Sequence, residues 1–106
     1  MEKLTSYESF QAALASPLFV VIAKTEACAV CKPVLARLEI QMNHYPTVPA
    51  YQIDVERVDA FRGQHLVFTV PTVMVFEHGK EILRESRFVD FQRIERLLEI
   101  YTREEA

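Results

Sequence analysis

The fold is constrained most by one apolar run, Leu18 to Ala23, which closes at Lys24. The run is rich in β-branched residues and does not alternate with polar ones. A continuous run of this kind is typical of a β-strand that is covered on both faces. Because both faces need covering, we expect helices on each side of the sheet that contains this strand.

Both cysteines of the chain follow this strand, in the run Cys28-Ala29-Val30-Cys31-Lys32. Two intervening residues allow the pair to cycle between a dithiol and a disulfide. Apolar residues at positions 30, 34, 35, 38 and 42 then indicate one face of a helix that begins at the pair. The unpaired N–H groups of a helix start stabilise a thiolate, so the sequence predicts redox chemistry.

Length and charge restrict the remaining possibilities. The chain has 106 residues, of which half are hydrophobic, and we expect one domain over residues 1–106. The formal net charge is −3, and no basic cluster is dense enough to follow a phosphate backbone. Nucleic acid is therefore not expected as a partner.

The N-terminal residues lack the apolar core of a signal peptide, and the longest apolar run is too short to span a bilayer. We therefore expect a cytoplasmic protein with no membrane partner. In a reducing compartment a closely spaced cysteine pair is catalytic, redox-sensing or metal-binding. The three histidines, His44, His65 and His78, lie far from the cysteines in sequence, so no metal site is predicted.

The remaining elements alternate between helix and strand. Thr5 and Glu8 fit a capping box for a helix from Tyr7, and Asp90 fits the N-cap of a closing helix. Gly79 is expected to take a positive φ in a hairpin turn, followed by a last strand from about Glu81 to Phe88. The predicted order is helix, strand, helix, strand, helix, strand, turn, strand, helix, with the last residues from Thr102 expected to fray. This order predicts an α/β fold, with parallel crossovers, one antiparallel hairpin and helices on both faces of a mixed sheet.

At this point the chain resembles the thioredoxin family over nearly its whole length. The resemblance is carried by four segments in the family's order: Cys28 to Lys32, Ile53-Asp54-Val55, Val70-Pro71-Thr72, and Phe76 to Gly79. It implies a thioredoxin-like fold with a central sheet of four to five strands.

The resemblance also implies a function and a site. Cys28 would be the attacking thiol and Cys31 the resolving thiol of a thiol-disulfide oxidoreductase that mainly reduces protein disulfides. Val70 and Pro71 would be joined by a cis peptide bond, with the Val70 backbone free to pair with substrate. Ala27, Ala29 and Val30 would also contact substrate. No cofactor beyond the redox-active disulfide is implied, and the reductant would be a thioredoxin reductase or a low-molecular-weight thiol.

Four residues or pairs depart from the family pattern. Ala29-Val30 stands where Gly-Pro is common, and Ala27 stands where the family usually has Trp. Ile22 stands where thioredoxins usually bury an Asp, and Arg87 where they usually have Gly. The supporting residues around the cysteines have therefore changed.

Several interpretations stay open from the sequence alone. Lys24 and Lys32 are either solvated residues or groups that favour a thiolate. Tyr51, Phe68 and Phe76 are expected in the core or on a strand face. The alternative function is a thioredoxin-like interaction or redox-sensing module with little turnover, and a dimer that shares a metal through four cysteines is a more remote one.

Overall fold

Residues 1–103, which a computed structural model of the protein describes, form a five-stranded sheet flanked by four helices. The strands are β1 (Glu2–Leu4), β2 (Leu18–Lys24), β3 (Ala50–Asp54), β4 (Thr72–Glu77) and β5 (Lys80–Ser86). The helices are α1 (Tyr7–Ala13), α2 (Cys31–Met42), α3 (Asp59–His65) and α4 (Phe91–Thr102). The strand order is β1-β3-β2-β4-β5, which confirms the predicted mixed sheet. No helix within this range is long and apolar enough to cross a bilayer.

β2 is the central strand, and its alternate side chains enter two separate cores. Phe19 and Val21 pack on one face, with Phe10 of α1 and Phe61 of α3. Val20 and Ile22 pack on the other face, with Leu38 of α2 and Leu98 of α4. All four of these β2 side chains are fully buried, as the uninterrupted apolar run predicted.

The structure adds a strand that the sequence analysis did not predict. β1 pairs in parallel with β3 from Glu2 to Leu4. It is only three residues long and buries only Leu4, so it leaves no alternating pattern to read. The capping box is also displaced by one residue, because Ser6 and Ser9 form it instead of Thr5 and Glu8.

The expectation of a single antiparallel pair is wrong, since β4 is antiparallel to β2 as well as to β5. The reason lies in the connection through α3. The seven residues of α3 span roughly 10 Å, whereas the six residues of β4 span roughly 20 Å. The helix is therefore too short to carry the chain back along the length of a strand. The chain therefore enters β4 at the edge of the sheet where it left β3.

The predictions for the turn at Gly79 and for the N-cap at Asp90 are confirmed. His78 and Gly79 both have positive φ values, 49° and 80°, between β4 and β5. The Asp90 side chain accepts a hydrogen bond from the Arg93 N–H and caps α4. α4 continues to Thr102, and residues 104–106 of the segment expected to fray lie outside the described residues.

The strand register brings three loops to one edge of the sheet. Ala23 near the end of β2 lies opposite Thr72 at the start of β4, which lies opposite Ser86 at the end of β5. The loops 25–30, 66–71 and 87–90 consequently leave the sheet together. We call this side of the molecule the loop edge, and it carries the cysteines.

Candidate active site

Cys28 and Cys31 form a disulfide, with their Cα atoms 5.3 Å apart. Cys31 is the first residue of α2 and is only 1% exposed. Cys28 lies in the preceding loop and is partly exposed. The two sulfurs therefore differ in access, although they belong to one pair.

The start of α2 directs a backbone donor at the exposed sulfur. The Cys31 N–H donates to Cys28 Sγ over 3.1 Å. Val30 is the N-cap residue, so no side chain caps this end, and the first turn contains no acidic residue. Once the disulfide is reduced, this N–H and the helix dipole favour a thiolate at Cys28.

The Val70–Pro71 peptide bond is cis, which is the isomer that the resemblance implies. The Pro71 carbonyl accepts from the Arg87 N–H over 2.9 Å, and the Thr72 hydroxyl donates to the Thr69 carbonyl over 2.6 Å. Within residues 1–103, by contrast, no backbone hydrogen bond uses the N–H or the carbonyl of Val70. The Val70 backbone is thus open at the loop edge.

Ala27, Ala29 and Val30 all lie in the loop before α2 and are exposed. Small side chains at 27 and 29 leave the partly exposed disulfide without an aromatic neighbour in its own loop. The departure from the family pattern at position 22 lies in the core instead. Ile22 is fully buried in the same cluster as Leu38 and Val73. The layer therefore has no carboxylate at position 22.

A groove of about 340 Å³ reaches the buried cysteine from another side. Its lining includes Cys31, Lys24 and Lys32, so both candidate lysines lie in the same groove as Cys31. The groove also includes Lys3, which the sequence analysis did not single out. β1 places Lys3 there, and since β1 was not predicted, the sequence held no signal for it.

Among residues 1–103, the groove has one acidic lining residue, and its carboxylate is paired with an arginine. Glu26 accepts from Arg57 over 2.9 Å. None of the three lysines forms an ion pair with a described residue. In the described ranges there is also no group of three or more His, Cys, Asp or Glu residues placed to hold a metal ion.

Two of the aromatic predictions for this region need correction. Phe68 was expected in the core or on a strand face, but it is 84% exposed in the loop before Pro71. Phe88 was expected at the end of the last strand, but β5 stops at Ser86 and Phe88 is 89% exposed. Arg87 ends the strand pairing because its φ is 63°, in the left-handed region.

Arg87→Gly is expected to stabilise the protein. A side chain at a left-handed φ is strained, whereas glycine adopts it without a Cβ clash. We expect the free energy of unfolding to rise by about 0.5–1 kcal/mol, measured by urea denaturation. Arg87→Ala is the matched control, because it removes the same charge but keeps a Cβ at the left-handed φ, so it should not gain this stability. A loss of stability in Arg87→Gly would contradict the strain.

His65 belongs to the aromatic core and not to this site. Its ring lies 4.6 Å from the Phe61 ring and 4.8 Å from the Phe10 ring, and Nε2 lies 3.2 Å from the Tyr7 hydroxyl. Burial lowers the pKa of His65 below its usual value. The chemistry therefore rests on the cysteines and their loop neighbours.

These features define a class of protein: a mixed α/β sheet whose central strand delivers a Cys-x-x-Cys pair to a helix start, at the same edge as a cis-proline loop. The chain belongs to the thioredoxin family, whose family model matches residues 2–100. It is accordingly an enzyme of the disulfide oxidoreductase class, with its cysteine pair at disulfide distance.

Known relatives agree with this assignment. Thioredoxin-like protein YdfQ of Bacillus subtilis is 39% identical over 71 residues, which are 67% of this chain and 63% of YdfQ. The chain thus matches less than two thirds of that relative's length. The thioredoxin of Chlamydia trachomatis is 28% identical over 98 residues, covering 92% of this chain and 96% of the relative. The structure of Plasmodium falciparum thioredoxin has the same fold, with a TM-score of 0.84 at 20% identity over 95% of this chain and 99% of that one.

Proposed function

We propose that the protein reduces disulfides in other proteins, with Cys28 as the nucleophile and Cys31 as the resolving thiol. The observation that carries this proposal is the difference between the two sulfurs. Cys28 is accessible and accepts the Cys31 N–H over 3.1 Å, whereas Cys31 is 1% exposed. A partner's disulfide therefore meets Cys28 first.

The reaction has two exchange steps. The Cys28 thiolate attacks one sulfur of the substrate disulfide, so that a mixed disulfide forms and the other substrate sulfur leaves as a thiolate. The Cys31 thiolate then attacks Cys28 Sγ, which forms the intramolecular disulfide and releases the second substrate thiolate. The substrate gains two electrons and two protons, and the protein loses both.

The second step requires Cys31 to lose a proton in a layer where Ile22 replaces the family's acid. Lys24 and Lys32 line the groove beside Cys31, together with Lys3. Their positive charge favours the thiolate form of a neighbouring cysteine. We assign Lys24 and Lys32 this electrostatic role.

Substrate would bind along the loop edge. Val70 offers a free N–H and carbonyl next to Pro71, which suits an extended segment that pairs with backbone. Ala27, Ala29 and Val30 would contact the same segment from the cysteine loop. The oxidised protein would be reset by a thioredoxin reductase or a low-molecular-weight thiol, in the cytoplasm.

A second candidate function is binding without turnover. The observation that favours it is the fully buried Ile22, which leaves the resolving step without the usual acid. In that case the loop edge would hold an extended segment and the cysteines would act as a redox sensor.

Alkylation of the reduced protein across pH tests the roles of the two cysteines. We expect Cys28 to react first, with a pKa below the free value of about 8.5, because of the helix start. The two sites are resolved by mass spectrometry of the labelled peptides. Faster labelling of Cys31, or a Cys28 rate that follows an ordinary thiol, would contradict the assignment.

A further inference from the structure

Large exposed apolar side chains are concentrated at the loop edge. Phe68 is 84% exposed, Phe88 is 89% exposed and Val30 is 60% exposed. Each lies in a different one of the three loops that leave the sheet there. Exposed apolar residues that gather in one area mark interaction sites more often than scattered ones do.

Backbone contacts place both phenylalanines near the open Val70 backbone. Phe68 and Val70 line one shallow groove of about 210 Å³, together with Arg62. The Arg87 N–H donates to the Pro71 carbonyl over 2.9 Å, and Phe88 follows Arg87 directly. Both aromatic residues therefore lie in loop segments next to the open Val70 backbone.

Two arginines lie beside these aromatic residues. Arg62 lies in the groove beside Phe68, and Arg87 precedes Phe88. Neither arginine forms an ion pair with a residue in the range 1–103, although the whole chain carries a formal charge of −3. Lys32 adds a further exposed cation one residue after Cys31. The loop edge also carries two exposed acids, but Glu26 pairs with Arg57 and Asp90 accepts from the Arg93 N–H at the start of α4. Among the described residues, the charges here that lack an ion-pair partner are therefore those of Arg62, Arg87 and Lys32.

We propose that Phe68 and Phe88 are specificity-determining residues that clamp the substrate segment around its cysteine. The occupant is an extended segment of a disulfide-containing protein, with bulky apolar side chains flanking the cysteine and acidic residues beyond them. This proposal rests on the proposed function. Phe68 and Phe88 supply from neighbouring loops the aromatic contact that Ala27 does not supply.

The decisive comparison uses two substrates and one matched control. A Phe68→Ser/Phe88→Ser variant is assayed with a disulfide peptide that has aromatic and acidic neighbours, and with oxidised glutathione, which has no bulky apolar side chain beside its cysteines. We expect kcat/KM for the peptide to fall about tenfold, mainly through KM, because truncating an aromatic anchor costs about 1 kcal/mol or more. The rate with oxidised glutathione should stay within about twofold, since surface changes of this kind alter stability little.

Ile40→Ser is the control, because Ile40 is 65% exposed on α2 and lies in none of the three loops. It should leave both rates unchanged. A charge arm replaces the acidic residues of the peptide by lysines, and we expect a several-fold weaker preference for this peptide in the wild-type protein. Equal peptide rates in the wild type and the double variant, or equal losses on both substrates, would overturn the proposal.

Equilibrium binding separates this proposal from the function on which it rests. A fluorescent copy of the peptide with serine for each cysteine is titrated into the oxidised protein, where no exchange occurs. Binding that weakens about tenfold in the double variant supports the clamp even if the wild type shows no turnover, and in that case the proposed reductase function fails alone. Binding that is absent in the wild type, or equal in both proteins, overturns the clamp.

Discussion

Cys31→Ser is expected to accumulate a stable mixed disulfide with protein substrates, whereas Cys28→Ser is expected to accumulate none. The first variant keeps the exposed nucleophile and, because the donor is backbone, also keeps the N–H that binds Cys28 Sγ over 3.1 Å. It lacks only the thiol that resolves the intermediate. In the second variant the remaining thiol belongs to a residue that is 1% exposed and cannot reach a partner.

Both variants should lose catalytic disulfide reduction by at least about a thousandfold, because nucleophile and resolving thiol act as a unit. The measurement is turnover of a protein disulfide, followed by non-reducing electrophoresis and mass spectrometry of any trapped complex. The double variant Cys28→Ser/Cys31→Ser gives the background. Equal trapping by the two single variants, or none by either, would favour the interaction module over the reductase.

Ile22→Asp is expected to destabilise the fold and to speed disulfide reduction near neutral pH. Ile22 is fully buried in the same core cluster as Leu38 and Val73, so a carboxyl group there loses its hydration. We expect the free energy of unfolding to fall by about 3–5 kcal/mol, in the range of the most damaging core substitutions. Desolvation also raises the pKa of the new acid, so it accepts the Cys31 proton only as the pH rises through that value.

Ile22→Asn is the matched control for this substitution. It has nearly the shape and polarity of Asp but takes up no proton, so it should destabilise the fold without a pH-dependent gain in rate. Turnover is measured between about pH 6 and pH 8, the range in which a buried carboxyl titrates. If Ile22→Asp loses stability and gains no turnover, the missing acid does not limit the reaction, and Ala27 with Ala29-Val30 becomes the feature to test.

Much of the fold could be predicted from the sequence, because the residue patterns that indicate it are local and strong. The run from Leu18 to Ala23 has no reason to be uniformly apolar unless both faces are covered, and the structure buries it fully. Gly79 predicts a positive φ and Asp90 predicts a helix N-cap, and the structure has both. β1 was missed because a three-residue strand with one buried side chain has no periodicity to detect.

The direction of β4 and the surroundings of the cysteines could not be predicted from the sequence, because both depend on tertiary contacts. Alternating helices and strands do not reveal that the chain re-enters the sheet at the edge it has just left. Lys3 approaches Cys31 only because β1 pairs with β3, across about fifty residues of sequence. Phe68 and Phe88 look like core residues by composition, and only the loop geometry exposes them.

The central claim is that Cys28 and Cys31 form a reducing couple, and a redox titration against glutathione with thiol labelling measures this most directly. We expect both thiols to appear together in one two-electron transition. Its midpoint should lie below about −230 mV, toward the value of about −270 mV of a reducing thioredoxin. A midpoint above about −180 mV, or independent titration of the two thiols, would contradict it.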